Sequence, residues 1–254
     1  MIDVVLERLR QGHRTSSFPR ELPVLPERFR GRPVLDETKC PPGCELCADA
    51  CPTDCITRNG AGQLQIDLGK CLFCTECVQA CPTGAIEYTQ DYRLAARRRE
   101  DLLQSDKGVQ LAASLEEKTR KLFQRSLKLR QVSAGGCNAC EADVNVLNTL
   151  VFDLGRFGIQ FVASPRHADG LLITGPVTEN MKLALKKTYD AVPAPKIVIA
   201  VGACAISGGP YVGHAEQHNG ADAVLPVDLY VPGCPPHPYT ILDGLLRLLG
   251  REKG

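Results

Sequence analysis

Two stretches of this chain concentrate cysteines at spacings that suit metal chemistry. Cys71, Cys74, Cys77 and Cys81 lie in C-L-F-C-T-E-C-V-Q-A-C-P, with two gaps of two residues, one of three, and Pro82 after the last cysteine. Upstream, Cys40, Cys44, Cys47 and Cys51-Pro52 repeat the arrangement. The echo continues past the thiols, where Cys51-Pro52-Thr53-Asp54-Cys55-Ile56 answers Cys81-Pro82-Thr83-Gly84-Ala85-Ile86. The chain holds 13 cysteines in 254 residues. Reducing compartments disfavour disulfides, so thiols this numerous point to metal or cluster ligation. Two chemistries compete: structural zinc sites built from C-x2-C couples, and iron–sulfur cubes. Zinc needs neither the four-cysteine runs nor the cysteine–proline pairs, so cubes account for more of the sequence.

The runs resemble the bacterial two-cluster ferredoxin motif, in which three thiolates of a run hold one 4Fe–4S cube and the fourth ligates the other. By that resemblance cluster one takes Cys40, Cys44, Cys47 and Cys81, and cluster two takes Cys71, Cys74, Cys77 and Cys51. Residues 37–90 then form an α+β bacterial ferredoxin-like domain, each half a short strand, a cysteine loop and a short helix. Some 50 residues bury too little apolar area to fold alone, so the clusters are expected to hold this domain together. One departure stands out. Pro41-Pro42-Gly43 puts three residues between Cys40 and Cys44 where the motif has two. A Pro-Gly turn can absorb the extra residue, but the first ligand of that cluster stays open. Cys55, at the position of Ala85, reads as a buried small side chain, with a substitute ligand as the alternative.

The remaining cysteines need a different frame. Cys137 and Cys140 follow Val132-Ser133-Ala134-Gly135-Gly136 and open a helix, Cys204 follows the apolar run 197–201, and Cys234 follows 229–231. Apolar, β-rich runs also occur at 159–163 and 171–174, and helical patterns follow Cys140 and span 179–189 and 239–249. This alternation predicts a flavodoxin-like α/β domain over 131–254, a mostly parallel sheet with helices on both faces. The four cysteines then stand at the carboxyl ends of strands, where open α/β sheets build their sites. Helix N-termini there offer N–H groups and a positive dipole end to an anionic cluster. Gly135, Gly136, Gly202, Gly208, Gly209 and Gly233 let the backbone approach a bulky cube, and Pro235-Pro236 stiffen the last loop. Four thiolates are what a further 4Fe–4S cluster requires. An ordinary flavodoxin-like domain with incidental cysteines is the alternative, and it lacks a phosphate lysine or Ser/Thr signature.

Here the sequence resembles the small subunit of group 4, energy-converting nickel–iron hydrogenases. The resemblance rests on Ser126-Leu127-Lys128-Leu129-Arg130, on Gly136-Cys137-Asn138-Ala139-Cys140-Glu141, and on Ser164-Pro165-Arg166-His167-Ala168-Asp169 with Leu171-Leu172-Ile173-Thr174-Gly175-Pro176. It continues through Gly202-Ala203-Cys204-Ala205-Ile206-Ser207-Gly208-Gly209 and from Pro226 to Pro236, covering residues 126–250. The related complex I subunit that carries the terminal cluster has two adjacent cysteines at the first position. This chain has Cys137-x2-Cys140, which favours the hydrogenase branch. The resemblance implies that Cys137, Cys140, Cys204 and Cys234 hold a proximal 4Fe–4S cluster facing a nickel–iron centre in a separate large subunit. The chain is then a non-catalytic electron-transfer subunit, with three 4Fe–4S clusters serving proton reduction or hydrogen oxidation. Implied partners are the large subunit, membrane subunits that anchor the complex, and a soluble ferredoxin or other redox donor. An equivalent wire in a complex-I-like oxidoreductase without nickel, and a zinc-stabilised interaction module, are the competing readings. By the same resemblance Glu141 and Asp143 stand near the large-subunit contact, as proton-handling groups or helix-dipole partners, and His167 lies near the cluster.

Composition narrows the setting. A formal net charge of +1 gives no electrostatic case for nucleic acid. No apolar run approaches about 18 residues, and Met1 to Arg10 mixes charges among its apolar residues, unlike a secretory signal. A cytoplasmic place is expected, in the peripheral arm of a complex on the cytoplasmic face of a membrane. Residues 1–36, with Pro19, Pro23, Pro26 and Pro33, read as an extended arm. Within it, Leu25-Pro26-Glu27-Arg28-Phe29-Arg30-Gly31-Arg32 resembles the lead-in to the two-cluster ferredoxin subunit of complex I, which packs on a neighbouring subunit. Residues 91–130 interleave Leu94, Leu102, Leu103, Leu111, Leu115 and Leu122 with charges and read as a helical connector. His214, His218 and His237 have no ligand spacing and read as surface or loop residues.

Overall fold

The computed structural model describes residues 2–105, 108, 110–123 and 125–252. The chain opens with α1 (Ile2–Gln11), exposed along its whole length. This differs from the extended arm expected over 1–36. The prolines begin only at Pro19, whereas Ile2, Val5, Leu6 and Leu9 recur at helical spacing in a stretch free of proline and glycine. After residue 12 the arm is irregular and anchored. Phe18 is buried against Tyr92 and Tyr239, with ring centroids at 5.8 and 5.2 Å. Arg156 donates to the carbonyls of Ser16 and Phe18 at 2.7 and 2.8 Å. These contacts lie within the chain itself.

The ferredoxin-like part comprises β1 (Pro33–Leu35), α2 (Leu46–Asp49), β2 (Ile56–Arg58), β3 (Leu64–Asp67), α3 (Glu76–Ala80) and β4 (Ile86–Tyr88). Each half contributes two strands, and each strand pairs with the other half: β1 with β4 and β2 with β3, both antiparallel. The halves therefore interlock. Neither can form its ladder without its counterpart.

The expected helical connector over 91–130 is mostly extended. β5 (Leu103–Gln104) adds to β3 as a third strand, a single 3-10 turn covers Glu100–Leu102, and α4 (Glu117–Phe123) is the one α-helical stretch among the described residues there. The cause is tertiary. Leu94, Ala95, Ala96 and Leu102 are buried between the two domains, and that burial outweighs a weak local helical preference. Ala96 and Tyr230 exchange backbone hydrogen bonds at 3.0 and 2.9 Å. Arg97 donates to the Asp228 carbonyl at 2.6 Å, and Arg99 forms a bidentate pair with Asp67 at 2.8 and 2.6 Å. The arginine run is a clasp between domains.

The α/β domain starts at β6 (Leu127–Ser133), ahead of the expected boundary at 131. It continues with α5 (Ala139–Val146), β7 (Ile159–Phe161), β8 (Gly170–Thr174), α6 (Glu179–Ala191), β9 (Ile197–Val201), α7 (Ala203–Ser207), β10 (Leu229–Val231) and α8 (Pro238–Leu248). The strands form one parallel sheet in the order β7-β6-β8-β9-β10. Numbered within the domain this is 2-1-3-4-5, the flavodoxin-like order. β8, β9 and β10 are buried at every residue, as a parallel sheet covered on both faces requires. One core packs α5 and α8 on the sheet. The other runs from the sheet through Ile206 to Ile66 and Leu68 of the ferredoxin-like part, and Ser207 Oγ donates to the Gly69 carbonyl at 2.9 Å. Among the described residues no helix is long and apolar enough to cross a membrane.

Candidate iron–sulfur centres

In the ferredoxin-like part, Cys47, Cys71 and Cys77 are buried, while Cys40, Cys44, Cys51, Cys74 and Cys81 are half-buried. Their grouping crosses the sequence. Burial raises the Cys47 thiol, and the charges of Cys40 and Cys81 raise it further. Burial also pushes Cys77 up to about 11, against a Tyr88 hydrogen bond that lowers it, with Cys71, Cys74 and Cys51 adding to the rise. Cys81 is thus within electrostatic reach of Cys47, and Cys51 of Cys77. Cys44 closes the turn over Pro41-Pro42-Gly43, its N–H donating to the Pro41 carbonyl at 3.1 Å. The extra residue sits in that turn, with Gly43 at φ 75°.

The loops suit thiolates that carry charge. Backbone N–H groups point at sulfur from Phe73 to Cys71 at 3.3 Å, from Cys55 to Cys51 at 3.4 Å and from Ala85 to Cys81 at 3.3 Å. Phe73 and Thr75 take left-handed φ values of 55° and 72°, a conformation uncommon for such residues and often found where a loop wraps a functional group. Cys55 is buried, and its Sγ lies 3.3 Å from that of Cys51. Hydrogen bonds to Cys51 and Cys71, then burial, push its pKa far upward. Two contributors escaped the sequence reading. Arg58 Nη2 donates to Cys40 Sγ at 3.6 Å, and the Tyr88 hydroxyl lies 3.4 Å from Cys71 Sγ. Their one signal was position, since both close the strand after a cysteine–proline pair.

The third set stands on the carboxyl rim of the parallel sheet. Cys137 follows β6, Cys140 lies in the first turn of α5, Cys204 in α7, and Cys234 follows β10. Burial raises the Cys140 thiol, and the charges of Cys204, Glu141, Cys234 and Cys137 raise it further. Cys204 is pushed up to about 11 by burial, then by Cys234 and Cys137. The backbone comes close enough to require glycine. A Cβ on Gly202, at φ +92°, would stand 2.5 Å from Cys140 Sγ, and one on Gly209 would stand 2.9 Å from Cys204 Sγ. Four converging thiols, amide donors elsewhere aimed at sulfur, and this glycine cradle fit iron–sulfur clusters.

Other residues singled out by the sequence take definite places. Glu141 is buried and accepts from Ser133 Oγ and Thr174 Oγ1, both at 2.6 Å. Burial works to raise its carboxyl, and these two bonds outweigh it, leaving the group below the ordinary glutamate value. It ties β6, β8 and α5 together. Burial raises Asp143, which faces the cavity described below. His167 is exposed and lies just ahead of β8, at the amino end of that strand. The thiols stand at the opposite end, roughly 15 Å of strand away. The expectation that it neighbours the cluster is therefore corrected by the direction of the sheet. His218 pairs with Glu179, and His237 caps α8 by accepting from the Tyr239 N–H at 3.2 Å while stacking on its ring.

The two domains meet beside Cys234. A cavity of about 590 Å³ there is lined by Phe29, Arg30, Phe73, Asp143, Cys234 and His237 among others. Arg30 Nη1 donates to the carbonyls of Phe73 and Cys74 at 2.9 and 3.3 Å, so the arm braces the second cysteine loop against this rim. The Cys234 thiol, raised by burial and then by Cys137, also feels the charges of Cys71 and Cys74.

Two family profiles match the chain. One, the NADH ubiquinone oxidoreductase 20 Kd subunit, spans residues 137–248, and the other, a 4Fe-4S dicluster domain, spans 30–85. Over 138 residues the chain is 43% identical to formate hydrogenlyase subunit 7 of Escherichia coli, covering 54% of each protein. It is 43% identical to the probable membrane-bound hydrogenase subunit mbhJ of Pyrococcus furiosus, across 51% of this chain and 77% of that one. It is 46% identical to a subunit of the NADH-quinone oxidoreductase of Clostridium beijerinckii, across 44% of this chain and 68% of that one. The chain spans about half the length of the Escherichia coli relative.

Proposed function

The chain belongs to the family of the NADH ubiquinone oxidoreductase 20 Kd subunit, and on that premise we propose that it relays electrons to or from the nickel–iron centre of a partner large subunit. It carries a 4Fe-4S dicluster domain, and the full wire comprises three clusters. Cys40, Cys44, Cys47 and Cys81 hold the first, Cys71, Cys74, Cys77 and Cys51 the second, and Cys137, Cys140, Cys204 and Cys234 the third. When bound, each cluster supplies a site that takes up and gives back an electron. The chain's own residues fix the thiolates, aim N–H groups at them and keep the second and third sets adjacent. Proton reduction or hydrogen oxidation belongs to the partner.

The observation that carries this reading is the juncture at Cys234, where Leu72 and Phe73 of the second cysteine loop and the rim cysteine line one cavity. Two independent modules would have no need of it. The name of the Pyrococcus furiosus relative supports hydrogenase chemistry and membrane association, with the chain on the cytoplasmic face beside membrane subunits and a soluble ferredoxin or other redox donor beyond. A nickel-free, complex-I-like complex is the second reading, favoured by the likeness to the Clostridium beijerinckii NADH-quinone oxidoreductase. Metal analysis of the anaerobically purified complex separates them. At least about twelve irons and about twelve acid-labile sulfides per copy of this chain, and nickel in the partner, are expected. Full iron without nickel would leave only the second reading, and zinc without sulfide would remove both.

A further inference from the structure

The internal duplication sets up a comparison at atomic detail. Aligning Cys51 with Cys81 puts Arg58 opposite Tyr88, the last residues of β2 and β4. Both side chains turn back onto the first cysteine of a run. Arg58 Nη2 donates to Cys40 Sγ at 3.6 Å, and the Tyr88 hydroxyl lies 3.4 Å from Cys71 Sγ and 3.9 Å from Cys77 Sγ. Toward thiolates, both groups act as donors. The same place in the fold thus presents a guanidinium to one thiolate set and a neutral phenol to the other. Arg58 is fixed by further bonds, from Nη2 to the Cys44 carbonyl at 2.9 Å and from Nη1 to the Gly62 carbonyl at 2.8 Å. Nη2 alone therefore bridges the two ends of the turn that holds the extra residue, and Nη1 anchors it to the β2–β3 loop.

We propose that this pair of equivalent positions separates the potentials of the two ferredoxin-type clusters, with Arg58 raising that of cluster one and Tyr88 leaving cluster two lower. Reduction adds negative charge, and a charge-assisted hydrogen bond to a ligand sulfur stabilises the reduced form more than a neutral one. Burial acts in the same direction. In the second set Cys71 and Cys77 are buried, whereas in the first only Cys47 is, and a drier surrounding disfavours added charge. The second set also adjoins the rim at Cys234. Electrons therefore rest on the outer cluster and pass through a less easily reduced station before the rim.

The inference relies on the proposed ligand sets, and the experiment distinguishes the two. The full chain carrying its clusters is titrated by EPR-monitored reduction as native protein, Arg58→Tyr and Arg58→Lys. In Arg58→Tyr, which copies the other half, the midpoint of one signal falls toward that of a second while the third stays in place. Arg58→Lys, which keeps the charge but loses the fork, falls between native and tyrosine variants. Midpoints unmoved in both variants overturn the proposal, as does a common shift of all three signals. If the tyrosine variant loses its cluster, the lysine variant decides alone, and a native midpoint there overturns the proposal. Native chain with fewer than about twelve irons would instead defeat the ligand sets themselves.

Discussion

The ferredoxin-like part and the α/β domain use cysteine in opposite ways. In the first, Cys47, Cys71 and Cys77 are members of the hydrophobic core, beside Leu35, Ile56, Ile66 and Ile86. In the second, Cys137 and Cys234 are exposed on loops above a sheet that Leu172, Ile199, Val201 and α8 already pack. On the proposed reading, a cluster in the first region replaces core that a short chain cannot build, and in the second it sits on a core that exists without it.

That contrast can be broken by removing one ligand from each region. Cys77→Ser and Cys234→Ser should each cost about four irons per chain. Only Cys77→Ser should also strip residues 33–104 of protection, read by hydrogen exchange or limited proteolysis, while the sheet stays protected in both. Equal loss of protection would show that both clusters are structural. A smaller effect is expected at the glycine cradle. Gly202→Ala puts a Cβ 2.5 Å from Cys140 Sγ at φ +92°, so the third EPR signal should vanish with the other two intact. Thermal unfolding should register a cost of about 1–3 kcal/mol for the strained backbone. Smallest is Cys55→Ala. It should leave iron content unchanged, because the alanine at the equivalent position 85 shows that the fold tolerates the smaller side chain. A loss of about four irons would make Cys55 a ligand.

Much of this was legible in the sequence, for a physical reason. Clusters impose spacing on the chain, so both runs could be read without coordinates, and parallel strands buried on both faces announce themselves as apolar runs, as 197–201 and 171–174 did. What stayed hidden depended on partners distant in sequence. Leu127–Ser133 alternates with Lys128 and Arg130, so most of this central strand fell inside the helical connector expected over 91–130. Residues 91–105 carried a helical pattern that burial of Leu94 to Ala96 against the second domain overrode. Nothing in the sequence singled out Arg58. Only the fold brings it to Cys40. His167 was misplaced because a motif gives neighbours in sequence, whereas strand direction decides which end of the sheet they occupy.

The central claim, one continuous wire across two domains, rests on the meeting of the second cysteine loop with Cys234. The direct measurement is the EPR spectrum of the fully reduced full chain, compared with that of Cys234→Ser. Magnetic interaction between the second and third clusters should split or broaden their signals, and Cys234→Ser should leave the remaining two as a simpler ferredoxin-type pair. A fully reduced spectrum that is the plain sum of that pair and an isolated third cluster would contradict the account.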